Sequence, residues 1–232
     1  MISTDKILVI IPARGGSKGL PGKNIKELCG KPLICYSIDI ARSITSDDSI
    51  CVSTDDQQIK KVVENYGLHV PFTRPEVLAT DNATTNDVLI HAIDYYEKNG
   101  KTYDVIILLQ PTSPLRRKED VKKAMSLYNS EIDMVVSVTE SHAPSVLCCE
   151  NQDGYLELVH NKTASGRQML PTFYEYNGAV YIINVKSLKE KGLSAFTRKL
   201  KYIMPKVNSI DIDDIYDFTL VESIIQQNNS NK

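Results

Sequence analysis

The segment that most constrains the fold is residues 7–24, ILVIIPARGGSKGLPGKN. Its first five residues are apolar and mostly β-branched, which is typical of a buried strand. The strand leads at once into a loop that contains Gly15, Gly16, Gly19 and Gly22. Glycine backbones can turn several N–H groups toward one point and let a ligand come close. The segment therefore predicts a buried strand that ends in an anion-binding loop.

The charges on this loop indicate that the anion is a phosphate group. Between Arg14 and Lys31 there are five Lys or Arg residues and one acid, Glu27, although the 232-residue chain has a net charge of −2. Such local positive charge suits a nucleotide and argues against a nucleic-acid surface. We expect Arg14, Lys18 and Lys23 to hold phosphate oxygens. The alternative is an ordinary glycine-rich connection whose lysines are merely solvated.

The spacing of the loop excludes two common phosphate-binding motifs. A P-loop, G-x-x-x-x-G-K-[ST], requires glycine five residues before Gly22, where Ser17 stands, and a hydroxyl residue after Lys23, where Asn24 stands. The loop also lacks the dinucleotide fingerprint G-x-G-x-x-G. Both motifs open directly into a helix, whereas Gly30–Pro32 comes before the first helical pattern here. Anion binding is therefore expected from backbone N–H groups and cationic side chains.

Strand and helix patterns alternate along the first part of the chain. The predicted strands are residues 6–12, 49–54, 69–72, 103–110 and 134–138, and the predicted helices are 32–43, 56–66, 85–98 and 118–129. This alternation predicts an α/β fold with a doubly wound, mostly parallel sheet. In such folds ligands bind beyond the carboxyl ends of the strands. The glycine-rich loop and the segment Gln110–Arg116 both follow predicted strands at that edge.

The alternation stops after residue 138. Short β-like runs at 145–149 and 155–159 flank Asn151–Gly154, which is a hairpin turn signal. An isolated hairpin cannot build its own core, so we expect it to pack against something else. The regular pattern resumes with a strand at 177–184 and closes with an amphipathic helix at 213–227. We predict one α/β domain made of residues 1–138 and 176–228, with an inserted arm at 139–175.

The composition bounds the class of protein. With 42% hydrophobic residues, the chain can bury the core of one domain plus a small appendage. Its longest apolar runs span five or six residues, which is too short for a membrane helix, and no secretory signal is visible at the amino end. Five cysteines without a metal-binding spacing indicate reduced thiols. We therefore expect a cytoplasmic protein that binds neither membrane nor nucleic acid.

Residues 11–24, IPARGGSKGLPGKN, resemble the signature of the CMP-sialic acid synthetases, or acylneuraminate cytidylyltransferases. Matching segments follow in the same order: Arg74-Pro75-Glu76 with Leu78-Ala79, QPTSPLR at 110–116, Arg167-Gln168 with Leu170-Pro171, Asn177-Gly178-Ala179 and Asp211-Ile212-Asp213. The resemblance extends from Ile7 to about Asp217. It implies a Rossmannoid fold like that of nucleotide-diphospho-sugar transferases, CTP and a nine-carbon sugar acid as substrates, and a homodimer formed through the arm. One or two Mg²⁺ ions are implied as cofactor.

The resemblance also implies which residues bind the nucleotide. Lys23 and Arg14 are the expected catalytic cations, and Lys23, which we expect to be an exposed loop lysine, would stabilise the charge that grows at the α-phosphate. The expected nucleotide-binding residues are Arg14, Gly15, Gly16, Ser17, Lys18, Asn24, Arg74, Thr84 and Thr85. Arg74 is expected near the cytosine base. As alternatives, Arg14 would pair with a carboxylate of the sheet, Lys18 would be solvated and Thr84 would cap a helix.

The expected contacts to the sugar acid come from three other segments. They are Gln110 and Thr112, Arg167 and Gln168, and Tyr176 and Asn177. Arg167 offers the planar fork that matches a carboxylate, and the alternative for it is a contact at a dimer interface. For Thr112 and Asn177 the alternative is to shape a turn. Arg116 would grip ligand or pair with Glu119, and we favour the pair.

Two aspartates are the metal ligands that the resemblance implies, since the motif Asp-Ile-Asp alone is a weak signal. Asp211 and Asp213 alternate on an extended segment, so both carboxylates project to one face. Paired carboxylates suit Mg²⁺, with water and phosphate oxygens completing its shell. Asp214 and Asp217 are expected to favour the start of the following helix, and Asp213 has the alternative of capping it. The general base is left open between Asp211 and a metal-bound hydroxide, because no partner is visible for His142.

Several functions compete at this point. N-acetylneuraminate is the default acid, and legionaminic-type and pseudaminic-type acids are the nearest alternatives. Synthetases for 3-deoxy-octulosonate carry Ser-Thr-Arg where this chain has Ser17-Lys18-Gly19. At Gly15-Gly16 some relatives carry polar residues that contact ligand, which leaves fine specificity open. A sugar-1-phosphate nucleotidyltransferase and a non-catalytic nucleotide-binding regulator are the other classes, and the set Lys23, Asp211 and Asp213 argues against the regulator.

Overall fold

A computed structural model describes residues 3–141, 147–150, 152, 156–158 and 172–230. Its strands are β1 (Ile7–Pro12), β2 (Glu27–Leu28), β3 (Lys31–Pro32), β4 (Ile50–Ser53), β5 (Val105–Leu108), β6 (Met134–Ser141), β7 (Cys148–Glu150), β8 (Leu156–Leu158), β9 (Phe173–Asn184) and β10 (Lys199–Ile203). Its helices are α1 (Leu33–Arg42), α2 (Gln57–Asn65), α3 (Thr85–Lys98), α4 (Lys118–Ser126), α5 (Val185–Lys191) and α6 (Ile215–Ser230). Within these described ranges, no helix combines the length and the apolar character needed to cross a bilayer.

The central sheet has six strands in the order β10-β6-β9-β5-β1-β4. Strand β1 pairs in parallel with β4 and β5, and β10 pairs in parallel with β6. Strand β9 is antiparallel to both of its neighbours, β5 and β6. Five strands therefore share one direction and β9 alone is reversed, which confirms the predicted mostly parallel sheet.

Helices cover both faces of the sheet. Val9 and Ile11 of β1 belong to an apolar cluster with Ile38 of α1, whereas Leu8 of β1 packs in a second cluster with Leu89 of α3. Because consecutive side chains of a strand point to opposite faces, a strand covered on both sides must be apolar throughout. Burying each such side chain contributes roughly 1.5–3 kcal/mol. The continuous apolar run is thus explained, and the doubly wound arrangement is confirmed.

The predicted helices correspond to observed ones, with end differences of up to three residues. The strand predicted at 69–72 is wrong: Leu68 and Val70 are buried, yet residues 68–75 belong to no strand. Their apolar pattern reflects burial against the core rather than pairing. Strand β10 and helix α5 were not predicted, because both are short and rich in lysine and show no clear periodicity.

The inserted arm is only partly covered by the described residues. Strands β7 and β8 pair antiparallel, as predicted for the hairpin. Strands β6 and β9 stay paired through Ser141 and Phe173, so the predicted boundaries 138 and 176 fall inside this pair. His142, Arg167 and Gln168 lie outside the described residues. The arm as a separate unit and its role in dimerisation stay predictions.

Candidate active site

Two adjoining cavities lie beyond the carboxyl end of β1. The larger, of about 510 Å³, is lined by Arg14, Ser17, Lys18, Lys23 and Asn24, by Gln110 and Thr112, and by Asp211 and Asp213. The smaller, of about 320 Å³, is lined by Arg14, Arg74, Asp81, Thr84 and Thr85, among others. Arg14 and Pro12 line both. The fold thus brings together side chains that are up to about 200 positions apart in sequence, at the edge where ligands bind in such sheets.

The glycine-rich loop is docked onto the acidic segment. Gly19 lies so close to it that a Cβ there would stand 2.4 Å from the carbonyl oxygen of Asp213. Lys23, which begins a 3₁₀ turn, donates a hydrogen bond to the carbonyl oxygen of Ile212, and its Nζ is 3.5 Å from Asp213 Oδ1. The loop and the predicted metal ligands therefore form one assembly.

Lys23 is not an exposed loop lysine. Only 9% of its surface is accessible, so this expectation is wrong. The ammonium group of Lys23 is partnered inside the protein by the Ile212 carbonyl and Asp213. A buried ammonium must be hydrogen-bonded to be tolerated. Lys23 consequently contributes to the fold as well as to the cavity.

The other two cations of the loop share one acidic partner. Arg14 Nη1 lies 3.0 Å from Asp81 Oδ1, and Lys18 Nζ lies 2.6 Å from Asp81 Oδ2. Hydrogen bonds from Lys18 and Arg14 lower the pKa of the Asp81 carboxyl. Arg14 does pair with a carboxylate, as the alternative predicted. The carboxylate is not in the sheet, however, because Asp81 lies in the connection before α3. Sequence analysis missed Asp81, because nothing local marks it.

The remaining predicted residues of the loop divide into two groups. Ser17 and Asn24 line the larger cavity, and Asn24 Nδ2 also donates to the carbonyl oxygen of Arg14 at 3.0 Å. Gly15 and Gly16 line neither cavity. The N–H of Gly15 is directed at Asp55 Oδ1, 3.3 Å away. Asn24 thus shapes the loop from within.

Arg74 is the chief polar group of the smaller cavity. The residue is 5% exposed, and its Nη2 lies 3.5 Å from Asp55 Oδ1. Burial lowers the pKa of its guanidinium. Its Nε and Nη2 atoms are buried without a hydrogen-bond partner. Nη2 still has its ion pair with Asp55, so Nε is the donor without any partner. Because buried donors are nearly always satisfied, the Nε donor indicates a ligand with an acceptor atom.

Thr84 caps helix α3 and also borders the smaller cavity. Its Oγ1 accepts the N–H of Asp87 at 3.2 Å, while Asp87 Oδ2 accepts the N–H of Thr84 at 3.1 Å. This reciprocal arrangement is a capping box. The helix-cap alternative for Thr84 is confirmed, and Thr85 lines the same cavity at the first position of the helix.

Asp211 and Asp213 face the larger cavity, as their alternation predicted. Ile212 between them is fully buried, and Asp211 is much less accessible than Asp213, whose side chain is 83% exposed. The pKa of Asp211 is raised, chiefly by burial and further by the charge of Asp213. A hydrogen bond from the Thr112 hydroxyl opposes this rise. Ser113 Oγ also donates to Asp211 at 3.3 Å.

The neighbouring acids have structural roles. Asp214 Oδ1 accepts the N–H groups of Tyr216 and Asp217, so Asp214 caps α6, and the alternative that Asp213 is the cap is wrong. Asp217 Oδ2 accepts the N–H groups of Asp213 and Asp214. Its carboxylate thereby fixes the backbone that carries the exposed acid of the cavity.

The donor set at these two aspartates fits a hard divalent cation. Two carboxylates on one face provide the oxygen ligands that Mg²⁺ prefers. Among the described residues there is no cluster of three or more His, Cys, Asp or Glu side chains that could enclose a metal. An ion at Asp211 and Asp213 would therefore complete its shell with water and with phosphate oxygens of a ligand.

The predicted sugar-acid residues are not all at the cavity. Gln110 and Thr112 line it, whereas Tyr176 is 55% exposed and Asn177 is buried. The Asn177 Oδ1 atom accepts from Ser137 Oγ at 2.6 Å, and its Nδ2 donates to Ser209 Oγ at 2.9 Å. This placement supports the alternative that Asn177 shapes the local backbone.

Tyr181 is a neighbour of the acidic pair that sequence analysis missed. Burial and, next in size, the charge of Asp211 raise the pKa of its hydroxyl. Its ring lies edge to face with that of Tyr176, with 6.4 Å between centroids. The sequence offered a weak signal, since Tyr181 lies two residues after the Asn177-Gly178-Ala179 match.

Arg116 neither reaches the cavity nor pairs with Glu119, so the favoured pairing is wrong. Its side chain is buried, with 3% of the residue exposed, and it donates to two backbone carbonyl groups and to a serine hydroxyl. Glu119 lies instead on the exposed surface of α4, 3.9 Å from Lys118.

Comparison with known proteins shows which family the chain belongs to. The sequence profile of the cytidylyltransferase family matches residues 8–224. The chain is 37% identical over 231 residues to N-acylneuraminate cytidylyltransferase of Escherichia coli O18:K1:H7, covering 98% of this chain and 54% of that protein, so it spans about half of that relative. It is 36% identical over 228 residues to CMP-N,N'-diacetyllegionaminic acid synthase of Legionella pneumophila subsp. pneumophila, covering 96% and 97% of the two chains.

A solved structure shows the same fold. The structure of CMP:2-keto-3-deoxy-manno-octonic acid synthetase complexed with CTP superimposes with a TM-score of 0.71 at 19% identity. The superposition covers 96% of this chain and 99% of that one.

Proposed function

Because the chain belongs to the cytidylyltransferase family, we propose that it transfers CMP from CTP to the anomeric hydroxyl of a nonulosonic acid and releases diphosphate. One observation carries the proposal. Two cavities meet at Arg14, one lined by Arg74, whose buried Nε has no partner, and the other lined by Lys23, Asp211 and Asp213. A nucleotide needs both kinds of environment side by side, one for its base and one for its phosphates.

We assign the base to the smaller cavity and the phosphates to the larger. The Nε and Nη2 donors of Arg74 suit the carbonyl oxygen and ring nitrogen of cytosine, both of which are acceptors. Arg14 lies between the cavities, where it would meet the phosphates, and Lys18 and the Ser17 hydroxyl extend this set.

Lys23 would stabilise the charge that develops at the α-phosphate when the sugar hydroxyl attacks. Phosphoryl-type transfers depend mainly on alignment and on cations placed beforehand. An ammonium group has three donors, and Lys23 uses one on the Ile212 carbonyl and directs another toward Asp213. The third is available to a phosphate oxygen.

Asp211 and Asp213 would hold Mg²⁺ together with phosphate oxygens of CTP. A divalent cation supplies neutralisation of phosphate charge and alignment of the triphosphate when bound. The Lys23 ammonium lies 3.5 Å from Asp213 Oδ1, which keeps this carboxylate turned toward the phosphate side of the cavity.

We propose N-acetylneuraminate as the acid, with legionaminic-type and pseudaminic-type acids as the alternatives. Relatives named for an N-acylneuraminate and for a diacetyllegionaminic acid are almost equally similar to this chain, at 37% and 36% identity. Gln110 and Thr112 would contact the acid from the floor of the cavity. Arg167 and Gln168 are proposed to bind its carboxylate and acyl group, on the strength of the sequence resemblance alone.

The test is diphosphate release from CTP, ATP, GTP and UTP with a panel of nonulosonic acids, with 3-deoxy-octulosonate and with sugar 1-phosphates. We expect release with CTP and with one of the nine-carbon acids, and we expect it to require Mg²⁺. Binding of CTP without release with any acid would favour the non-catalytic regulator. Release with sugar 1-phosphates only would identify the other enzyme class.

We also propose that the protein is a cytoplasmic homodimer that uses residues 139–175 as its arm. An isolated hairpin such as β7–β8 is marginally stable in water, which is a reason for it to pack against a partner. Light scattering coupled to size-exclusion chromatography measures the mass of the protein in solution directly. A value near the 26.0 kDa of one chain would contradict the dimer.

A further inference from the structure

Arg116 is a buried cation beneath the floor of the larger cavity. Its Nη1 donates to the carbonyl oxygens of Gln110 at 3.2 Å and Ala179 at 2.6 Å, and its Nη2 donates to Ser37 Oγ at 2.6 Å. Within the described ranges, no carboxylate is close enough to form an ion pair with it. Burying a charge without a direct ion pair costs several kcal/mol, and the nearest opposite charges, Asp120 and Asp211, act on Arg116 only from a distance. An arginine placed at such cost calls for an explanation.

The position of the guanidinium in the sheet provides one. Strands β5 and β9 pair antiparallel up to Leu108 opposite Tyr181, and the same register continued would place Gln110 opposite Ala179. Arg116 binds the carbonyl groups of both of these residues. The guanidinium thus replaces backbone pairing where the two strands separate to form the cavity floor.

This junction fixes the side chain of Gln110. Gly178, next to Ala179, has φ +72°, and a Cβ there would lie 2.7 Å from Gln110 Oε1 and 3.8 Å from Asp211 Cγ. The Gln110 amide oxygen therefore lies directly against Gly178 of β9, on the side where Asp211 also approaches this glycine. A small change in the separation of the two strands would move this amide directly.

Only arginine suits the junction. Its planar fork reaches two carbonyl oxygens and a hydroxyl in fixed directions, whereas the ammonium of lysine is a single point charge. Burial lowers the pKa of Arg116 to about 9, so the side chain stays protonated at neutral pH. Its donors are thus available throughout the working range.

We propose that Arg116 is a positioning residue that sets the orientation of Gln110 toward the acceptor sugar acid, while leaving the nucleotide subsite unaffected. The proposal rests on the proposed function for the identity of the acceptor. Arg14, Lys18 and Arg74 belong to other segments and form no hydrogen bond with Arg116, so the cations assigned to the nucleotide do not depend on this junction, whereas Asp211 feels the charge of Arg116.

The test compares R116K, which keeps the charge and loses the fork, with R117K at the neighbouring exposed arginine as the matched control. We expect R116K to bind CTP within about twofold of wild type by calorimetry, and its KM for the acid to rise at least about tenfold. R117K should match wild type in both. Equal loss of CTP binding and acid binding would overturn the proposal, since it would indicate general damage to the fold.

A double-mutant cycle with Q110A tests whether Arg116 acts through Gln110. If it does, R116K in the Q110A background changes the KM for the acid by less than about twofold, because the group it orients is already gone. If Arg116 is merely structural, the fold-changes that R116K and Q110A each cause in the KM for the acid multiply in the double variant. That result would refute the positioning role.

Two further measurements keep the test decisive. S37A removes the hydroxyl that accepts from Arg116 and donates to the Gln110 carbonyl, so it loosens the same junction in a variant with little lost volume. Crystal structures of R116K or S37A should show Gln110 displaced from Gly178. If Gln110 is unmoved in both structures, the proposal is overturned. The crystal structures can be compared even if the wild-type protein releases no diphosphate, and that result would contradict the proposed function alone.

Discussion

The burial of Lys23 predicts that its loss affects both stability and catalysis. Lys23→Met keeps most of the aliphatic volume and removes the ammonium group, which is bonded to the Ile212 carbonyl and 3.5 Å from Asp213. A hydrogen bond to a charged group contributes roughly 1.5–3 kcal/mol. For a domain of this size, 1 kcal/mol corresponds to about 2–4 °C in Tm. We therefore expect K23M to melt about 3–12 °C below wild type.

The same variant should lose most of its turnover. Removing one preorganised donor from a developing oxyanion costs about 10²–10³ in kcat. Lys18→Met is the matched control, because it changes the same residue type in the same loop at a side chain that is 77% exposed. Its Tm should stay within about 1 °C of wild type. Scanning calorimetry and a coupled diphosphate assay measure the two effects.

Two results would refute this reasoning. If K23M and K18M melt at the same temperature, the buried tether between the loop and the acidic segment does not stabilise the protein. If K23M keeps the kcat of wild type at saturating CTP, Lys23 does not act on the α-phosphate.

Three further predictions concern acidic residues. Asp211→Asn should raise the Mg²⁺ concentration for half-maximal diphosphate release at least about tenfold; an unchanged titration would place the ion elsewhere. Asp81→Asn should tighten CTP binding severalfold in calorimetry, because Asp81 occupies the cations Arg14 and Lys18 that phosphates would use; weaker binding would mean that it organises them instead. Asp133→Asn should lower the free energy of unfolding measured in urea by about 3 kcal/mol. The Asp133 carboxylate is fully buried and accepts hydrogen bonds from Lys191, from Ser187 and from the N–H groups of Thr197 and Arg198.

The Asp133 prediction includes a pH dependence. Burial alone would raise the pKa of this carboxyl, but hydrogen bonds from Lys191, the Arg198 N–H and Ser187 outweigh it, and the pKa is lowered. A lowered pKa stabilises the folded state above the pKa of the unfolded carboxyl, about 4, and this stabilisation is lost as the pH falls further. The difference in unfolding free energy between wild type and D133N should therefore shrink below about pH 4. A constant difference down to pH 2 would contradict it.

The sequence predicted those parts of the structure whose determinants are local. Helix α3 was predicted at its observed bounds because its apolar periodicity begins right after a capping residue, Thr84. Strand β1 was predicted because burial on both faces requires five consecutive apolar residues. The strand predicted at residues 69–72 was wrong, because an apolar pattern indicates burial but does not determine whether the backbone pairs with another strand.

The candidate site follows the same division. The loop cations could be singled out from a short motif, because they lie together on one glycine-rich segment, whereas the Asp211/Asp213 pair was assigned from the family resemblance. The partnership of Asp81 with Arg14 could not be predicted, since it depends on how two distant connections meet. Arg116 could not be understood either, because its partners are mainly backbone carbonyl groups, which every residue possesses.

The reversed direction of β9 has a consequence for how this enzyme family can diversify. Because β9 runs against its neighbours, β6 ends and β9 begins at the same edge of the sheet as the two cavities, so the insertion between Ser141 and Phe173 leaves and rejoins the sheet at that edge. The glycine-rich loop, Arg74 and Thr84 follow β1 and β4 on other connections. Changes in the insertion between Ser141 and Phe173 therefore leave those connections untouched.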